Sequence, residues 1–588
     1  MKRIVAPVFR LAAAGAAVGL GAAAWAIADQ DYLAQGLWRT SLWVTSRGLL
    51  VGYLVGAAVA TAMLLLASLA SALPRAKTNS AGAFAFRLRA VLRRSSRVLD
   101  TRATRAVGRA LAGRAGWVLA GLLSILAVAL WAAGWSVASR ARAAAQQRQR
   151  NVILIGIDTL RADHASLLSA GDQSRDVTPN LRELVGARSS VFTDAISQAP
   201  WTLPAFSSMF TGLYPEQHGA EQRWQKLPAS QLTLAEMLRE AGFRTLGVSS
   251  GLYVTDASGL RQGFEVFDES QAQGQLNVTS EQVTDKAIKL LARHGKEPFF
   301  LFVHYFDPHW VFHDHPDYDF GEELPAWMKE MSQTLKQDEF TQQVARLRGF
   351  SGRGSLTREE LGSLRDLYDE EIARTDAEVA RLLRHIGDAG LDSNTLIILV
   401  ADHGEEFMER GNLGHGSTLC HEVIHVPLAI ALPGASKREV RSRPVETRGV
   451  FTTVLDFLKV RMPQGDGFPV SLLVDDAPNT LVRSANHRMA SGIDGRMFPE
   501  PVDVWWTSIR DGRWKLIKEH LRGRVMLFDL LNDPAERRNC AKDNPEVRQR
   551  LERELDRRDA AAKRSSPKGP VPEADEAQKR RLKSLGYL

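Results

Sequence analysis

Two carboxylates and an imidazole stand directly after apolar runs, where they can hold a cation. Asp158 closes the run Asn151-Val-Ile-Leu-Ile-Gly-Ile-Asp158, and Asp402 and His403 follow the run over 395–401. This donor set suits one divalent ion such as Mn, Zn or Mg in preference to Ca, which favours an all-oxygen shell. Taken singly, Asp158 fits the cap of a following helix equally well. Its pairing with Asp402-His403-Gly404 is what supports the metal reading.

Between these segments lies Ala199-Pro-Trp-Thr-Leu-Pro204. Pro204 suits the first turn of a helix, which puts Thr202 at or beside the N-cap. A hydroxyl there meets free backbone N–H groups and the positive end of the helix dipole, a place that receives sulfate or phosphate well. The plainer alternative, a threonine that only caps, stays open.

The elements that must position these residues are strands and helices in alternation. Residues 151–157, 298–304 and 395–401 are unbroken apolar runs of the kind buried on both faces of a parallel sheet, with 244–249 a fourth. Thr178-Pro179 marks a helix start, and Thr233/Glu236 and Thr357/Glu360 form capping boxes. The helix after Thr357 spaces Leu361, Leu364, Ile372, Val379, Leu382, Leu383 and Ile386 along one core-facing side. The pattern predicts an α/β, three-layer sandwich with a mostly parallel central sheet, and ligands bind at the carboxyl ends of the strands in such sheets. Residues 310–354 have no clear period and are read as an insertion near the site. The catalytic domain is expected over 151–440. A smaller α+β subdomain and tail follow over 441–588, with hairpin strands at 510–517 and 525–529, a helix over 544–557 and a solvated connection over 560–579.

Ahead of this lies an expected membrane region, 1–140. Uncharged stretches run over 11–28, 48–74 and 115–139, and the last two exceed the roughly 20 residues a span needs. The first is read as a retained helix, with a cleavable signal peptide as the alternative. Between residues 75 and 114 stand eleven Arg or Lys against the single acid Asp100. Flanked by spans, this segment reads as cytoplasmic, not as a nucleic-acid patch. The chain is therefore expected in the cell (inner) membrane, multi-pass, with a bilayer as partner and its catalytic part extracytoplasmic or periplasmic. Cys420 and Cys540 are the only cysteines, which excludes a disulfide framework and a Cys-based zinc site. Whether the two pair stays open.

Six ordered motifs carry a resemblance. Ile157-Asp-Thr-Leu-Arg161, Thr178-Pro-Asn-Leu181, Thr211-Gly-Leu-Tyr-Pro215, Phe299 to His309, Asp402-His-Gly-Glu405 with Gly414-His-Gly416 and Val426-Pro-Leu428, and Phe528 to Glu536 with the closing Leu585-Gly-Tyr-Leu588, together resemble the sulfatase family of the alkaline phosphatase superfamily. The departure is at the nucleophile. Sulfatases proper carry Cys-x-Pro-x-Arg, with Cys or Ser oxidised to formylglycine, whereas this chain has Thr202-Leu-Pro-Ala-Phe206. Threonine yields no formylglycine, so the site resembles the threonine branch, which includes phosphoethanolamine and phosphoglycerol transferases.

The resemblance implies that Thr202 is both nucleophile and metal ligand beside Asp158, Asp402 and His403, with His309 as general acid and His415 contacting a substrate oxygen. His304 is read as a core imidazole, and Arg410 stands where similar sequences have histidine. The expected function is a membrane-anchored, metal-dependent hydrolase of sulfate or phosphate esters. Two alternatives are a transferase modifying envelope lipid or glycan, and a catalytically silent binding protein.

Overall fold

The computed structural model describes residues 150–576 apart from 169–174, 224, 273–277, 311, 319, 322–324, 326–356, 466, 475–480, 491–501, 565–572 and 574. The three uncharged stretches, the Arg-rich segment, most of the 310–354 insertion and the closing Leu-Gly-Tyr-Leu lie outside the described residues. Among the described residues no helix is long and apolar enough to cross a membrane.

Three strands form the centre of the large sheet, β1 (Asn151–Ile157), β5 (Phe299–Tyr305) and β6 (Thr395–Ala401), and every residue of each is buried. A strand with no exposed position has both faces covered, as the unbroken apolar runs predict. β1 lies between β5 and β6, parallel to both. Around them the sheet extends through β3 (Arg244–Ser249) and β4 (Val266–Asp268) on one side. On the other come β9 (His425–Ala431), β2 (Ser190–Ile196), β10 (Glu439–Arg441) and β11 (Val445–Glu446). Among the described strands of this sheet only β9 runs against its neighbours, β6 and β2. The sheet is thus mixed but mostly parallel, and β7 (Glu406–Phe407) and β8 (Leu413–Gly414) form a separate antiparallel pair.

The helices follow their local signals in most places. The long helix Arg358–Asp388 and the helix Leu234–Glu240 both start with the expected capping boxes, Thr357/Glu360 and Thr233/Glu236. Thr178 departs from expectation. Its hydroxyl accepts from Ser166 N, the short turn Leu181–Val185 is π-wound, and the N–H groups of Asn180 and Leu181 donate to Asp376 of the long helix. A partner distant in sequence caps this turn.

The change of character near residue 440 is not a change of sheet. β10 and β11 join the large sheet and the helix Gly449–Leu458 joins its core, with nine-tenths of the helix residues buried. The second sheet begins at β12 (Val482–Ala490) and continues antiparallel through β13 (Val502–Arg510), β14 (Trp514–Glu519) and β15 (Arg524–Asp529). The helix Pro545–Arg564 packs Leu551 and Leu555, one turn apart, onto Ile509, Leu516 and Leu527. It therefore takes the first residues of the expected solvated connection. Cys420 and Cys540 are both free and buried in separate apolar clusters.

Candidate active site

Register brings the two metal-reading segments together. Ile157 pairs with Ala401, so Asp158 and Asp402 leave the sheet side by side at the carboxyl edge. One ligand atom from each of Asp158, Asp402 and His403 lies within 4.8 Å of the others, and all three residues are fully buried. His403 Nε2 is 3.7 Å from Asp158 Oδ1 and 3.4 Å from Asp402 Oδ2.

The other polar atoms of Asp402 and His403 are already committed. Asp402 Oδ1 accepts from the N–H groups of Thr159 and His403, and His403 Nδ1 is 2.9 Å from the carbonyl of Gly404. A ring nitrogen facing a carbonyl must donate, so Nε2 presents its lone pair to the cluster. Both oxygens of Asp158 and Oδ2 of Asp402 are buried without a hydrogen-bond partner among the described residues. That removes the cap reading of Asp158. Burial, and then the charge of its neighbour, pushes the Asp402 carboxyl well above its usual range, and burial does the same for Asp158. Three buried carboxylate oxygens without a hydrogen-bond partner among the described residues, beside an imidazole lone pair, are costly alone and fit a divalent cation.

Thr202 reaches this cluster from a third element. α1 spans Thr202–Thr211, and its N-cap is Trp201, which makes no side-chain capping bond. Thr202 is therefore the first helical residue, and the cap-only alternative is set aside. Its Oγ1 lies 3.3 Å from His403 Nε2. The first turn of α1 is held by His218, whose Nε2 is 3.2 Å from Pro204 O and 3.1 Å from Ser208 Oγ, while Nδ1 accepts from Ala220 N. Burial lowers the His218 pKa to about 3.

His309 and His415 continue the site. The His415 ring is 4.3 Å from that of His403 and 4.9 Å from that of His309, and its Nδ1 is 3.2 Å from both oxygens of Glu405. His309 stacks on Phe306 at 4.4 Å and places Nδ1 2.7 Å from Trp310 O, which leaves Nε2 as the acceptor of a neutral ring. Burial, and then His415, hold its pKa well below the usual histidine value. Arg410 turns away from this group. It binds Glu422 and the carbonyls of Ala535 and Glu536, tying the loop to the Phe528 to Glu536 motif.

Two contributors escaped the sequence reading. His304, taken for a core imidazole, points Nε2 at Asp158 Oδ2 from 3.4 Å. The signal was one ionisable group near the end of an apolar strand. Glu405 was visible only as the residue after Asp-His-Gly. Thr159 adds a local strain, with φ 54° in the left-handed region, its hydroxyl on Pro308 O and its carbonyl on Tyr368.

The sulfatase family model matches residues 150–460. Arylsulfatase K of Gallus gallus is 23% identical over 442 residues, covering 69% of this chain and 81% of its own length. The Homo sapiens arylsulfatase K is 23% identical over 472 residues, covering 72% and 85%. Among solved structures, BT4656 in complex with its substrate D-glucosamine-2-N,6-O-disulfate superposes with a TM-score of 0.56 at 18% identity, covering 71% of this chain and 98% of that one. The phosphonate monoester hydrolase SpPMH from Silicibacter pomeroyi gives 0.56 at 22% identity, covering 70% and 96%. At these identities the structural matches establish a shared fold.

Proposed function

The chain belongs to the sulfatase family, and on that premise we propose a metal-dependent hydrolase of sulfate or phosphate esters in which the attacking group is the Thr202 hydroxyl. The observation that carries this reading is the placement of Thr202 Oγ1, uncommitted to capping and 3.3 Å from the imidazole nitrogen that faces both carboxylates. Asp158, Asp402, His403 and Thr202 would hold the ion. When bound, a divalent cation there neutralises charge on the transferred group and lowers the pKa of a coordinated hydroxyl.

The chain's own residues divide the remaining work. Thr202 Oγ1 gives up its proton to solvent and forms the new bond to sulfur or phosphorus while the bond to the leaving oxygen breaks. His309 Nε2, the ring nitrogen turned away from Trp310 O, takes up a proton as the anionic ester enters and delivers it to that oxygen. His415, oriented by Glu405, contacts a substrate oxygen. Water then hydrolyses the threonine ester and restores the site. This route uses no formylglycine, which a threonine side chain does not yield.

The relatives support a choice of test compounds. An arylsulfatase, a disulfated glucosamine complex and a phosphonate monoester hydrolase name aryl sulfates, sulfated amino sugars and phosphonic monoesters, and phosphate esters complete the panel. Mass spectrometry of the Thr202 peptide after rapid quenching should show a sulfuryl or phosphoryl adduct with at least one of them. Turnover of the panel with an unmodified Thr202 peptide at every time point would count against the mechanism.

A second reading rests on the uncharged stretches 48–74 and 115–139. If they anchor the chain in a bilayer with the site outside the cytoplasm, the threonine ester can pass to an alcohol of an envelope lipid or glycan in place of water. Product analysis separates the two, because hydrolysis releases free sulfate or phosphate and transfer does not.

A further inference from the structure

His304 lies next to the end of β5, paired in register with Gly156 of β1, so its ring rises beneath Asp158. Its Nε2 stands 3.4 Å from Asp158 Oδ2. Neither atom has a hydrogen-bond partner among the described residues, although both are buried. The ring is fixed edge-on by Phe206, 4.9 Å between centroids, and stacked at 6.1 Å on Phe302. Gly251 makes room for it, since a β-carbon there would fall 2.4 Å from His304 Cε1.

The groups around the ring favour one tautomer, because an ionised Asp158 opposite Nε2 can only accept. On the other side Ser249 Oγ, which accepts from Gly251 N–H, stands 3.4 Å from His304 Nδ1 and has a hydroxyl hydrogen to give it. With Nδ1 accepting, the neutral ring carries its proton on Nε2, the nitrogen that faces Asp158. The two oxygens of Asp158 therefore face different partners, Oδ1 towards His403 Nε2 at 3.7 Å and Oδ2 towards His304.

We propose that His304 is a positioning residue for Asp158: its Nε2–H faces Oδ2 across 3.4 Å and attracts it electrostatically, leaves Oδ1 for the cation, and biases the site towards ions that take one oxygen per carboxylate. The proposal rests on the metal reading of Asp158, Asp402 and His403. Ca commonly uses both oxygens of a carboxylate to fill shells of about six to eight ligands, so a carboxylate restricted to one oxygen disfavours it against Mn or Zn. Partners that orient a ligand in this way commonly change metal affinity by about 10- to 100-fold.

The test is equilibrium binding of Mn alone and Ca alone to the metal-stripped full chain, for wild type, His304→Leu and His304→Gln. The leucine removes the donor, while the glutamine amide returns an N–H at similar reach. His304→Leu should bind Mn about 10- to 100-fold more weakly and lose much of the preference for Mn over Ca, and His304→Gln should recover most of both. Equal Mn binding by wild type and His304→Leu, or equal losses in both variants, would overturn the proposal while the metal reading stands. X-ray absorption of the Mn-loaded wild type should show one imidazole, from His403, and two would make His304 a direct ligand. A wild-type chain that binds no divalent ion would instead overturn the metal reading itself.

Discussion

Thr202 Oγ1 lies 3.3 Å from His403 Nε2, although the two residues are 201 positions apart in the chain. The same nitrogen faces Asp158 Oδ1 and Asp402 Oδ2, so hydroxyl, imidazole and both carboxylates converge on one small volume. That convergence depends on the parallel pairing of β1 with β6 and on α1 starting at Thr202. A shift of either element by one residue would break it.

Removal of one ligand should remove the metal. Asp402→Asn keeps the shape of the side chain but loses its charge, and elemental analysis of the purified variant should find little bound divalent ion and no turnover. Full metal content in Asp402→Asn would show that Asp402 is not a ligand.

Acid should loosen the helix that carries Thr202. The folded-state pKa of His218 is depressed to about 3 by burial, so its neutral form stabilises the fold above the unfolded value of 6.5, and that stability is lost as pH falls below 6.5. One pKa unit is worth about 1.4 kcal/mol, so acidification from pH 7.5 to about pH 5 should cost roughly 2 kcal/mol through this residue. Denaturant titrations should show His218→Gln losing less stability than wild type over that interval. Parallel losses in the two proteins would place the pH dependence elsewhere.

The large sheet and much of the site are legible in the sequence because their signals are local. Unbroken apolar runs ending in Asp158 and Asp402 mark buried strands and the edge where they open, and Thr233/Glu236 and Thr357/Glu360 mark helix starts within four residues. What escapes depends on partners far along the chain. Nothing near Thr178 shows that Asp376 caps the following turn, and nothing in β9 shows that it will run against β6 and β2. His304 looks like a core residue until Gly156 and Gly251, distant in sequence, bring it under Asp158.

Arg410 should matter for stability more than for chemistry. Its guanidinium joins Glu422 to the carbonyls of Ala535 and Glu536, linking the loop that carries His415 to the C-terminal motif. Arg410→Met should cost about 2 kcal/mol in unfolding free energy, the usual scale for hydrogen bonds made by a charged group, with KM little changed. An unfolding midpoint equal to wild type would contradict this role.

The arrangement of the N-terminal stretches in a membrane is open to a direct reporter. With the Arg-rich segment over 75–114 held in the cytoplasm, alkaline phosphatase fused after Gln147 should be active. Activity only from a reporter that requires the cytoplasm, fused at the same point, would reverse the proposed topology.

The central claim is that the Thr202 hydroxyl supplies the attacking atom, and turnover of the best panel substrate by Thr202→Ala tests it most directly. The account predicts a normally folded protein whose kcat/KM falls by at least about 10³-fold, far beyond what the loss of one helix-end hydroxyl costs in stability, while Thr202→Ser keeps measurable activity. Hydrolysis by Thr202→Ala at the wild-type rate would contradict it.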